Sequence, residues 1–340
     1  MKTRIMLLVS ALLVAGPTAT LRSQQPTMPQ AVEGGLDVTS RRSIVDAFAT
    51  AMRDRYIVPE TGEAIAVRLQ QAVAAGDFDA IADASALARQ LTGDARAIAH
   101  DKHLRVMAPR KGTALRRGPA PILTQDGVSR ADRLRGNVGY VEIVTFPPAA
   151  EFKRAIDPVL ESLRGSRALI IDLRRNGGGE PDAVAYLISV FVERGRHIND
   201  IVTRIPATKN FTREQVRASR TPISLRNTRL LILTSADTFS GGEALAYDLR
   251  ALTRASIIGE TTGGGANMVE TVDLGHGVIA IVPYQRVESA VTRTNWEGKG
   301  VSPDTLVSAD DALGAALGQL GLTPASDIAV ASLQRVFEAK

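Results

Sequence analysis

No cysteine occurs anywhere in the 340-residue chain. That absence excludes disulfides, thiol nucleophiles and zinc–thiolate sites together. Internal repeats and low-complexity tracts are also missing, which excludes solenoid and fibrous architectures. Apolar residues make up 44% and charged residues 23% of the chain, the balance of an ordinary globular protein. Long hydrophobic runs are scarce. One apolar run, residues 5–16, follows Lys2 and Arg4 and exits through Pro17, Thr18, Ala19 and Thr20. It is shorter than the ~20 residues that span a bilayer. A basic start, a short apolar stretch and a small-residue exit predict a signal peptide over 1–24, cleaved between Gly16 and Gln25. A retained membrane anchor is the alternative.

Charge of one sign is lacking too. The formal net charge is +5, but Lys2, Arg4 and Arg22 are the only charges before Gln25, so a chain cut there carries 5 − 3 = +2. A near-balanced protein gives no reason to invoke a nucleic-acid partner. After signal cleavage no stable membrane insertion is expected.

From Val38 to about Leu91 apolar residues recur at helical spacing, with Gly76 and Gly93 as stops. A helical domain is predicted over 25–108, opening with a polar lead-in over 25–36. Residues 109–136 are rich in proline, glycine and arginine and are predicted to be a linker. From Asn137 the rhythm alternates between strand and helix, which predicts an α/β core over 137–320. Residues 168–173 and 230–234 are apolar runs short enough to be buried strands. Residues 321–340 are predicted to hold a C-terminal helix.

Two glycine-rich turns follow predicted strands: Asp172-Leu-Arg-Arg-Asn-Gly-Gly-Gly179 and Gly259-Glu-Thr-Thr-Gly-Gly-Gly265. Such turns can aim backbone N–H groups at an anion, or can simply be tight connections. Neither ends in the Gly-Lys-Ser/Thr of a phosphate loop, and neither has dinucleotide spacing. Ser240 precedes Gly241-Gly242 after a predicted strand. Locally it reads as a helix cap, with Glu243 completing a capping box. The same placement sets a hydroxyl at the positive end of a helix, beside the Gly241 N–H, as a nucleophile with an oxyanion hole requires. Its base must come from His100, His103, His197 or His276. No His-Glu-x-x-His motif accompanies the His100/His103 pair, which argues against a metal site.

Taken in order, these segments resemble the tail-specific, or C-terminal processing, serine peptidase family. Asp101-Lys-His-Leu104 is similar to its Asp-x-His-Thr, 172–179 to its Asp-Leu-Arg-x-Asn-x-Gly-Gly, and 233–243 to its nucleophile segment. Gly259–Gly265 and Trp296-Glu-Gly-Lys-Gly-Val-Ser-Pro-Asp304 complete the set. The nearest branch contains the interphotoreceptor retinoid-binding protein modules and shares catalytic architecture with the tricorn protease core. The resemblance implies a crotonase-like α/β core, export to the periplasm or beyond, no cofactor and no metal, and a peptide or unfolded-protein substrate. It implies Ser240 as nucleophile, His103 as base and Glu297 as the carboxylate orienting it. The oxyanion donors would be Gly241 with Gly177 or Gly178. Members with a Ser/Lys dyad carry lysine 25 residues after the serine, where this chain has Gly265. Residues 109–136 are too few for the PDZ domain that many members insert. A non-catalytic hydrophobic-ligand binder on the same scaffold is the rival expectation, and a small-molecule ester or amide hydrolase is a third.

Overall fold

The computed structural model describes residues 36–108 and 126–323. The predicted signal peptide, most of the lead-in and the predicted C-terminal helix lie outside the described residues.

Three helices open the described residues: α1 (Val38–Arg55), α2 (Pro59–Ala75) and α3 (Ala84–Ala99). Local signals set their ends. Asp37 accepts the Ser40 N–H and Asp83 the Ala86 N–H as N-caps, while Gly76 closes α2 in the left-handed region at φ 75°. Their apolar stripes, including Ile44, Phe48, Met52, Ile65, Leu69, Leu87 and Leu91, bury against one another and against Leu274, Val278, Ala280 and Val282 of the core. Burying each large aliphatic side chain contributes about 1.5–3 kcal/mol. The helical unit is therefore docked on the core by a shared apolar cluster.

The core holds β1 (Arg105–Met107), β2 (Val128–Leu134), β3 (Val138–Ile143), α4 (Ala149–Ser162), β4 (Ala168–Asp172), α5 (Pro181–Phe191), β5 (His197–Arg204), β6 (Phe211–Arg217), β7 (Arg229–Thr234), α6 (Gly241–Ala251), β8 (Ala255–Gly259), β9 (Asn267–Asp273), β10 (Ile279–Ser289), β11 (Thr305–Leu306) and α7 (Ala312–Gln319). One sheet runs β11-β8-β7-β4-β3-β2 and is parallel except for the β2/β3 pair. Its strands are apolar on both faces because both are covered. Leu169 and Ile171 of β4 face the cluster built with α4, α5 and α6, while Ala168 and Ile170 face α7. The second sheet runs β1-β10-β5-β6, with β9 on the other side of β10.

One expectation changes here, and one strand pair is new. Residues 128–134, expected within the linker, form an edge strand antiparallel to β3, so the core begins before Asn137. β5 and β6 form an antiparallel pair that apolar content alone does not reveal, since β6 is almost wholly exposed.

Candidate active site

The ends of β4, β7 and β8 converge, and their three loops lock one another. In the loop after β7, the Ser235 N–H donates to Thr238 Oγ1 (2.9 Å) and Thr238 Oγ1 donates to the Leu173 carbonyl (2.8 Å). The Phe239 N–H donates to the Asn176 carbonyl (2.9 Å) and the Gly263 N–H to the Thr238 carbonyl (2.9 Å). The outcome is a strand-to-helix turn with Ser240 at φ 51°, ψ −115°, immediately before α6. A residue with a Cβ is strained in that region, and strain of this kind, of order 1–3 kcal/mol, persists only where the surroundings over-determine it.

Glu243 does more than cap the helix. It is fully buried, and its carboxylate accepts the Ser240 N–H (2.8 Å), the Gly265 N–H (2.8 Å), the Gly264 N–H (2.6 Å) and the Thr262 hydroxyl (2.5 Å). Burial pushes its carboxyl above the ordinary range and these donors pull it back. One side chain therefore ties the serine turn to the glycine turn after β8.

The expected oxyanion donors need revision. The Gly177 N–H donates to the Val144 carbonyl (3.3 Å) and the Gly178 N–H to Asn176 Oδ1 (2.8 Å). The next amide, Gly179 N–H, and the Gly241 N–H donate to nothing among the described residues. They lie close together: a Cβ on Gly241 would stand 3.2 Å from the Gly179 nitrogen. Both residues and Ser240 line the same cleft. Gly178 packs beneath, where a Cβ would meet the Ser240 Cβ at 2.7 Å. The Asp-Leu-Arg part of the motif is structural, for buried Asp172 pairs with Arg174 (2.6 Å) and accepts the Tyr140 hydroxyl (2.7 Å).

His103 arrives from the helical unit. His100 ends α3 in the left-handed region at φ 53°. The Arg96 guanidinium donates to the Lys102 and Leu104 carbonyls (2.6 and 2.7 Å), and the His103 N–H donates to Asp101 Oδ1 (2.8 Å). Lys102 Nζ crosses to the Gly263 carbonyl (2.6 Å), anchoring this loop to the glycine turn. The imidazole lies against the Phe239 ring, centroids 4.7 Å apart, one residue before Ser240. His103 and Ser240 form no direct hydrogen bond, and bonds of this type tighten when substrate binds. Burial holds the His103 imidazole below its ordinary value, while the Asp101 charge acts in the opposite direction.

Glu297 is brought to the same place. Its Oε2 accepts the Ala266 and Asn267 N–H groups (2.5 and 3.1 Å), and polar atoms of Asp101, His103 and Glu297 all lie within 4.8 Å of one another. Burial and then the Asp101 charge push the Glu297 carboxyl up to about 7. The other histidines stand elsewhere: His197 pairs with Asp200 (2.7 Å) and His276 sits in the exposed turn between β9 and β10.

Residues 137–307 match peptidase family S41, and residues 38–129 match the N-terminal domain of that family in eukaryotic IRBP. The chain belongs to peptidase family S41. This S41 member is 28% identical over 130 residues to the carboxy-terminal processing protease CtpA of Bacillus subtilis, covering 38% of this chain and 26% of that one. Against the chloroplastic C-terminal processing peptidase of Tetradesmus obliquus it is 32% identical over 171 residues, covering 49% and 34%. It thus spans about a third of the length of the curated relatives it matches. A solved structure from Parabacteroides merdae shares its fold (TM-score 0.64, 20% identity, 82% of this chain and 96% of that one). So does the photosystem II D1 C-terminal processing protease (TM-score 0.54, 18% identity, 80% and 94%).

Proposed function

We propose that this S41 member is an exported serine peptidase working through an acyl-enzyme on Ser240, on a crotonase-like core. The observation that carries the reading is the pair of unpartnered amides, Gly241 and Gly179, beside a strained Ser240. Ser240 Oγ attacks the carbonyl carbon of the scissile peptide while His103 takes its proton. The oxygen that becomes negative is held by the Gly241 and Gly179 N–H groups, Gly179 taking the place expected for Gly177 or Gly178. His103 returns the proton to the leaving amine as the C–N bond breaks, and Glu297 steadies the imidazolium. Water then enters, deprotonated by His103, and releases the acid.

The cleft beside Ser240 sets the substrate class. Val184, Ile188, Ile201, Val216, Met268 and Trp296 make its walls apolar, and its volume is about 70 Å³. That suits one compact apolar side chain next to the scissile bond. It is far below the roughly 300–1,000 Å³ that encloses a drug-sized ligand, which disfavours the hydrophobic-ligand binder.

A fluorophosphonate probe tests the reading. It should label the wild type and fail to label Ser240→Ala, with labelling slowed at least about 10²-fold in His103→Ala. Labelling that survives in Ser240→Ala overturns it, and tight retinoid binding without labelling would favour the binder.

A further inference from the structure

A second carboxylate stands at His103 that the triad does not use. Asp101 is 1% exposed, and three donors converge on it. Oδ1 takes the His103 N–H and lies 3.9 Å from the His103 Nδ1 atom. Oδ2 takes the Tyr56 hydroxyl (3.2 Å) and the Asn267 side-chain amide (2.9 Å). Both carboxylate oxygens of Asp101 are therefore engaged.

Glu297 is held differently. Its two donors both reach Oε2, while Oε1 is buried without a partner, as is His103 Nδ1. Asn267 links the two acids, since its N–H goes to Glu297 and its side-chain amide to Asp101. Two carboxyls this close and this dry resist joint ionisation. Asp101 has three donors and neither of its oxygens is orphaned, whereas Glu297 has one oxygen with no partner among the described residues.

We propose that Asp101 is a positioning residue of the catalytic site, holding the His103 loop and obliging Glu297 to retain a proton at rest, so that Asp101 sets the pH at which the triad becomes competent. The inference rests on the reading of Ser240, His103 and Glu297 as a triad. The chemistry follows from the imidazole. A base needs Nδ1–H donated to an ionised Glu297 and a bare Nε2 toward Ser240. While Glu297 holds the proton, it is not the anion that an Nδ1–H donor needs, and the ring is not held in that tautomer. Competence therefore rises with pH as the pair releases that proton.

Other charges face these groups. Glu243 adds a weaker push on Glu297, beside Asp101. Arg105 and Arg96 act on His103 in the direction that opposes its protonation. Tyr56 contributes a hydroxyl to Asp101, and the Lys102 ammonium is turned away to the Gly263 carbonyl. Among them Asp101 is the largest charge acting on either Glu297 or His103.

The experiment is the pH dependence of fluorophosphonate labelling in wild type and Asp101→Asn. Removing the Asp101 charge lets Glu297 ionise at lower pH and lowers the protonation of His103, so both effects move the acid limb the same way. The limb should shift down by about one pH unit or more. A limb left in place with a lower plateau would make Asp101 a merely structural residue and overturn the proposal. Absence of Ser240-dependent labelling in the wild type would instead strike the triad itself. A second measurement stands apart from activity and from the folding of the variant. In Ser240→Ala, the ¹⁵N signals of the His103 ring should record two coupled titration steps, its own and that of the adjacent carboxyl. A single step overturns the proposal.

Discussion

A Cβ on Gly265 would stand 2.6 Å from His103 Cε1, closer than real side-chain atoms approach. It would also meet the Phe239 ring at 2.3 Å. Residue 265 and the imidazole therefore compete for one space. The resemblance drawn from the sequence implies lysine at this position in members that use a Ser/Lys dyad. A side chain at 265 and the His103 imidazole in its present place therefore exclude each other sterically.

Gly265→Ala should thus displace His103 and Phe239 together. The expected outcome is a loss of about 10²-fold or more in fluorophosphonate labelling, because a base moved by about 1 Å is out of line. Circular dichroism should show a folded protein. Gly265→Lys should not restore activity, since the added amine arrives with the histidine pushed out. Full labelling of Gly265→Ala would mean that the imidazole does not occupy this space during catalysis.

Ser240 carries the backbone cost of its turn. Ser240→Gly and Ser240→Ala should both be unlabelled, but their stabilities should differ. Glycine adopts φ 51°, ψ −115° without strain. After allowing for the extra freedom of glycine in the unfolded chain, Ser240→Gly should exceed Ser240→Ala by about 1 kcal/mol in urea unfolding. Equal or reversed stabilities would show that the turn is unstrained.

Asp248, on the buried face of α6, offers a test of stability against pH. It is fully buried; Oδ2 accepts the Asn199 amide (2.6 Å) and Oδ1 has no partner. Burial raises its carboxyl to about 7 from an ordinary 3.8. Between these values the folded state holds a proton that the unfolded state has released, so stability falls as pH rises through that window. The slope approaches about 1.4 kcal/mol per pH unit. Asp248→Asn keeps the acceptor for Asn199 and removes the slope. Its advantage over wild type should open between pH 4 and 7 and stay constant above. Parallel stability curves for the two proteins would contradict a neutral buried Asp248.

Much of the frame was legible in residue order. β4 and β7 are runs of apolar residues because both faces of the sheet are covered, and no other setting buries five or six such residues in a row so cheaply. Ser240-Gly-Gly before a helical pattern marks a turn whose consequences are local. The family resemblance reached further: it implied His103 and Glu297 although 137 residues separate the first from Ser240 and 57 the second. β6 was hidden because it is exposed and carries charged residues, and β5 because buried Asp200 and Arg204 interrupt the apolar face of the strand; pairing with each other and of β5 with β10 defines them.

Residue types and short spacings specified which groups are present: a serine at a helix start, a histidine with an aspartate two residues before it, a glycine where lysine was possible. Those choices act through bonds of a few residues' reach, so order along the chain is enough to read them. Which amides stay free was decided by packing. Asn176 folds back to take the Gly178 N–H, and Val144 takes that of Gly177, leaving Gly179 to face the cleft. The four-donor clamp of Glu243 and the approach of Asp101 to Glu297 through Asn267 likewise depend on segments far apart in sequence meeting in space. A hydrogen-bond donor is common to every residue but proline; only the folded chain determines which donors are already satisfied.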